Sequence, residues 1–159
     1  MYKHILLPTD GSELSQSAVE YGISLAKSVG AKVTGVAVTE PFHMLAADAA
    51  MLTDTAETYK HRVKQLATKH LAHVKETAAH AGVDCEGVAV EHEHPYKAII
   101  DTAKAKGCDL IIMASHGRRG ISAIVLGSET VKVLTHSSIP VLVFRAEGWT
   151  FLPPYFAAS

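Results

Sequence analysis

Hydrophobic and polar positions follow two rhythms along this chain: short runs of nearly unbroken hydrophobicity, and longer stretches with helical spacing. Residues 2–7 form a short apolar run with few polar breaks, as expected of a strand covered on both faces. Pro8, Thr9, Asp10 and Gly11 end it with turn residues. Ser12 offers an N-cap, with Ser15 a weaker candidate. Leu14, Ala18, Tyr21, Leu25 and Val29 then recur at helical spacing until Gly30. Residues 31–39 read as a second strand through Val33, Val36 and Val38. A looser segment opens at Glu40, and residues 48–54 are weakly patterned. The long helix that follows has Tyr59, Val63, Leu66, Leu71, Val74 and Ala78 as its apolar stripe, closed by Ala81 and Gly82.

Residues 83–90 read as a third strand. His94 and Pro95 mark a turn, since proline suits a first helical turn and biases its predecessor away from helix. Lys97, Ala98, Ile99, Ile100 and Ala103 make a short helix that stops at Gly107. Residues 109–113 form a strongly apolar fourth strand, residues 127–135 a last helix, and Val141–Phe144 a fifth strand. The order is β-α-β-α-β-α-β-α-β, which predicts a doubly wound α/β architecture: a five-stranded parallel sheet with helices on both faces. Crossovers are expected to be right-handed. A strand order of 3-2-1-4-5 would place the reversal of winding between strands one and four, where ligands bind beyond the carboxyl ends. Those strands end in Pro8-Thr9-Asp10 and Ala114-Ser115-His116-Gly117.

Composition narrows the field. The chain has 159 residues, 48% hydrophobic and 19% charged, which suits one globular domain with a sizeable core. A formal net charge of −1 gives no overall attraction to nucleic acid or to an anionic membrane. The apolar start is too short for a signal peptide, and no run approaches the ~18–20 residues of a bilayer span, so a cytoplasmic location is expected. Cys85 and Cys108 form no CxxC and are expected as free thiols. Of the ten histidines, His61, His70, His73 and His80 fall on the long polar helix and read mostly as a solvated face. His92 and His94 would project from one side of a strand, but no nearby cysteine or third histidine completes a metal site.

The densest chemistry is the stretch from Ala114 to Ser128. An apolar strand, a glycine-bearing loop and a new helix at Gly127-Ser128 point unpaired amides at one spot, and an anion is favoured there. There is no GxxxxGK[ST] and no GxGxxG after the first strand, so neither a P-loop nor a standard dinucleotide site is indicated. What remains is Gly117, nine residues, then Gly127-Ser128.

With this loop, the opening Pro8-Thr9-Asp10, Ala103 with Gly107, and the ending Ile139-Pro140-Val141-Leu142-Val143, the sequence resembles the universal stress protein family over residues 1–146. Residues 147–159 are an aromatic tail that departs from the usual family ending. The resemblance implies a flavodoxin-like (Rossmann-like) fold binding ATP or AMP, with Mg2+ as an optional bridge between phosphates. It implies Asp10 at the ribose, consistent with a carboxylate that accepts from hydroxyls and repels phosphates. Pro8 and Thr9 would flank it. The Val38 backbone would meet adenine, with Met113 nearby. Amides of Gly117 and Gly127 and the hydroxyls of Ser128 and Thr130 would hold phosphates, with Glu129 alongside and Ser115 and His116 inside the loop.

Ala114 stands where the family carries its first glycine; ordinary β dihedrals there would leave binding intact. The resemblance also implies a homodimer paired through Val141–Phe144, an exposed edge strand. The reading is a nucleotide-responsive stress regulator. The missing metal ligands and nucleophile argue against an enzyme beyond slow, incidental hydrolysis. A protein-interaction module without nucleotide is the alternative. Arg118 and Arg119 would reach a terminal phosphate or remain solvated, and ATP would order residues 117–126.

Overall fold

The computed structural model describes residues 1–42, 55–117 and 126–145. The weakly patterned segment 48–54, Arg118 and Arg119, most of the apolar loop after them, and the aromatic tail lie outside the described residues.

Nine elements follow in the order read from the sequence: β1 (His4–Pro8), α1 (Glu13–Val29), β2 (Lys32–Thr39), α2 (Ala56–Ala81), β3 (Cys85–Glu91), α3 (Pro95–Lys106), β4 (Leu110–Ala114), α4 (Ser128–His136) and β5 (Val141–Phe144). All strand pairs are parallel, and the sheet order is β3-β2-β1-β4-β5. The winding therefore reverses between β1 and β4.

The central strand explains the two-sided core. Ile5, Leu6 and Leu7 are all completely buried. Successive side chains point to opposite faces. Ile5 and Leu7 pack with Val33, Leu110 and Ile112 beneath α1 and α2, through Val19, Ile23, Val74 and Ala78. Leu6 joins Val36, Ile111 and Met113 under α3 and α4, through Ile99, Ile100, Ala103 and Val133. Each large side chain so buried contributes roughly 1.5–3 kcal/mol.

The boundaries and one helix face differ from the sequence pattern. β1 begins at His4, not at residue 2, because the Asp109 carboxylate takes the amides of Lys3 (2.9 Å) and His4 (3.0 Å) and Tyr2 turns out to solvent. β3 begins at Cys85, since the Val83 amide is drawn back to Ala78 O at 2.9 Å, closing α2. The buried face of α1 is Ser15, Ala18, Val19, Gly22, Ile23 and Ala26, rotated away from the stripe through Tyr21. Small residues let α1 approach the sheet: a Cβ on Gly22 would collide with Leu7 Cδ2. Tyr21 instead stays 44% exposed, its ring 5.5 Å from that of Phe144. Ser12 caps α1, its hydroxyl accepting from the Ser15 amide at 3.2 Å, and Gly30 ends it at φ +70°.

Candidate functional site

The loop after β1 is held from both sides. Thr9 N–H donates to Val36 O at 2.9 Å, extending the pairing with β2 by one residue. The Thr9 hydroxyl accepts from the Gly11 amide (3.2 Å) and meets Ser15 Oγ at 3.2 Å. Asp10 Oδ1 accepts from the Ser12 amide (3.0 Å) and hydroxyl (2.6 Å), an Asx-type turn that leads the chain into α1. Gly11 completes that turn at φ +75°, where only glycine avoids strain.

The second loop is tied just as closely. Ser115 N–H donates to Phe144 O at 2.8 Å, and Ser115 O accepts from the Gly127 amide at 2.8 Å. The Thr130 hydroxyl donates to Ala114 O at 3.1 Å. These bonds clamp the start of α4 onto the end of β4. Gly127 owes its identity to this approach, since a Cβ there would stand 3.1 Å from His116 Cα. The two loops then meet: a Cβ on Gly117 would overlap Asp10 Oδ2. Asp10, Gly117 and the N-terminus of α4 are thus brought together at the reversal point.

Three residues have partners other than those the sequence implied. The Gly127 amide is turned inward to Ser115. The Thr130 hydroxyl spends its hydrogen on Ala114, leaving no proton for a phosphate. Glu129 faces α3, accepting from the Tyr96 amide at 2.9 Å and from Lys132 Nζ at 2.8 Å. The first-turn amides of Ser128, Glu129 and Thr130 precede the first helical bond, from Val131 N–H to Gly127 O at 3.0 Å, and so have no carbonyl partner within the helix. Ser115 is buried; its hydroxyl meets His116 Nδ1 at 3.2 Å. Ala114 is an ordinary strand residue, and no non-glycine among the described residues has positive φ. Its methyl group therefore causes no backbone strain.

A cleft of about 150 Å³ opens beside Asp10, lined by Thr9, Val38 and Thr39 from the strand ends and by Val63, Leu66 and His70 from α2. Pro8 ends β1 next to it, while Met113 is buried in the core on the other face of the sheet. The α2 residues were missed in the sequence. No sequence signal separates them from the core stripe: Leu66 shares its helical spacing, and only the structure shows it 37% exposed, walling a cleft and not the core. No helix among the described residues is long and apolar enough to cross a membrane.

Comparison with known proteins agrees with this geometry. Residues 1–145 match the model of the Universal stress protein family. Universal stress protein MJ0531 of Methanocaldococcus jannaschii is 33% identical over 147 residues, covering 91% of this chain and 83% of the relative. Universal stress protein YxiE of Bacillus subtilis is 31% identical over 149 residues, covering 91% of this chain and all of the relative. Among solved structures, hypothetical protein MJ0577 superposes with a TM-score of 0.77 at 27% identity, covering 94% of this chain and 99% of that one. A universal stress protein in complex with cAMP gives a TM-score of 0.67 at 26% identity, over 91% and 97% of the two chains. With the sheet order, the paired loops and the match over residues 1–145 in agreement, the chain belongs to the universal stress protein family.

Proposed function

We propose that this protein binds an adenine nucleotide, ATP or AMP, and acts as a nucleotide-responsive regulator. One observation carries the reading: the Asp10 carboxylate, the side-chain-free Gly117 and the opening amides of α4 converge beyond β1 and β4. A carboxylate grips sugar hydroxyls, and helix-opening amides favour the phosphate anion. Asp10 would hold the ribose and the Val38 backbone the base. Gly117, the Ser128 hydroxyl and the amides of Ser128 to Thr130 would hold the phosphates. The relative solved with cAMP supports the ligand class. Any Mg2+ would be carried chiefly by the phosphates, since Asp10 Oδ1 already accepts two bonds from Ser12.

Val141–Phe144 is the half-exposed outer strand beside β4 and is the expected seam of a homodimer. Identification of small molecules released from the purified protein, followed by calorimetric titration with ATP, ADP and AMP, tests the reading. Saturable binding supports it; no heat at millimolar nucleotide removes it.

A further inference from the structure

Leu142 packs with the core beneath α1, whereas Val141 packs with the core under α3 and α4. Phe144, two residues after Leu142, shares the α1 side of β5. Its half-buried ring stands 5.5 Å from that of Tyr21, which is 44% exposed. Leu25, one turn along α1 from Tyr21, is only partly buried against the same core. Tyr21, Leu25, Leu142 and Phe144 thus form an apolar shelf between α1 and the outermost strand. It includes the part of the α1 stripe from which the buried face is rotated away.

The sequence after Phe144 suits this shelf. Beyond Arg145, residues 146–159 carry Trp149, Phe151, Leu152, Tyr155 and Phe156, and Glu147 as their single charged side chain. Four of the ten aromatic residues of the chain fall in this stretch. The family match ends at residue 145, so the stretch is an addition to the shared fold. Aromatic rings pair by offset and edge-to-face contacts, and the Tyr21–Phe144 pair, tilted by 39°, offers both a face and an edge. The exposed apolar residues of α4, Val131 and Leu134, offer no ring. Trp149 lies five residues beyond Phe144, a reach of at most about 17 Å. A tether that short holds the stretch over the shelf at roughly millimolar effective concentration, above that of a second copy in dilute solution.

We propose that the aromatic segment 149–156 docks on the Tyr21–Phe144 shelf of its own chain. Docking covers one face of β5 and leaves its outer edge to the proposed homodimer seam. Trp149 is the only tryptophan, so its fluorescence reads the contact in the whole chain. In the folded protein Trp149 should emit to the blue of its position in urea and be quenched several-fold less by acrylamide. Tyr21→Glu and Tyr21→Ser should move the emission to the urea position and restore quenching, with unaltered far-ultraviolet circular dichroism. Tyr21→Phe, Val131→Glu and Leu134→Glu should change neither. Emission at the urea position in the folded, unaltered chain overturns the docking. So does a blue emission that survives both disruptive Tyr21 substitutions or is lost in either α4 variant. Refolding Tyr21→Glu chains together with Trp149→Phe chains distinguishes the host. Blue emission regained in the mixture means that the segment docks on a second copy, which overturns docking within one chain; emission that stays at the urea position supports it.

Discussion

Gly117 and Asp10 occupy one another's space: the carboxylate of Asp10 sits where a side chain on Gly117 would begin. Glycine at this position is required by the neighbouring loop, not by its own turn. In Gly117→Ala the methyl group must displace Oδ2, and the proposed sugar site moves with it. AMP affinity is expected to fall about tenfold. Gly117 is exposed, so the unfolding midpoint should barely move. Calorimetry beside thermal unfolding checks both parts, and unaltered AMP affinity would contradict the proposed sugar site.

Asp10 has a structural and a proposed binding role, which two substitutions separate. Asp10→Asn keeps an oxygen for the Ser12 amide and hydroxyl, so urea denaturation should give nearly unaltered stability. Asp10→Ala removes both bonds at the mouth of α1 and should cost about 1–2 kcal/mol. Both variants should bind AMP more weakly, because neither offers a carboxylate to ribose hydroxyls. Tight AMP binding by Asp10→Ala would displace the sugar from this residue.

At the opposite end of the sheet, His4 is 4% exposed and its Nε2 meets Thr34 Oγ1 at 2.7 Å. Thr34 donates in turn to Glu86 at 3.0 Å, and Glu86 pairs with Lys106 at 2.7 Å. Burial, and after it the charge of Lys32, holds the His4 pKa below 6.5, against the pull of Glu86 and Asp109. The unfolded chain therefore takes up this proton first on acidification. The stability from neutral His4 is present above 6.5 and is lost as pH falls through its folded value. Urea midpoints at about pH 7.5 and about pH 5.5 should diverge in the unaltered chain and converge in His4→Gln. Equal slopes in the two proteins would rule His4 out as the source.

Cys108 is buried, and burial pushes its thiol up to about 11, with a Thr34 hydrogen bond pulling the other way. Burial also raises the half-buried Cys85 thiol. Neither is a ready thiolate near neutrality. In the native protein both should alkylate slowly, Cys108 the more slowly, and both should react quickly in urea. Peptide mapping after a timed iodoacetamide pulse reads the two separately; fast native labelling of Cys108 would contradict its burial.

Local pattern carried most of this architecture. Unbroken apolar runs such as 110–113 and glycine stops at Gly30, Gly82 and Gly107 follow from side-chain burial and backbone freedom, which act over a few residues. Nine elements and their order could therefore be read in one pass, and the spacing of Gly117 from Gly127-Ser128 pointed to a stretch that the fold brings against Asp10. Which face of α1 is buried could not be read that way. Small residues such as Gly22 add little hydrophobicity, yet they decide how closely a helix approaches Leu7.

The site divides along the same line. Asp10 and the start of α4 belong to short-range patterns of turn and cap, and their chemistry is visible in the residues alone. The contact of Gly117 with Asp10, the inward turn of the Gly127 amide, and the placing of His70 and Leu66 at the cleft join parts of the chain far apart in sequence. Those contacts arise when α2 and α4 dock on the sheet, because burial and hydrogen-bond satisfaction there are settled by neighbours in space.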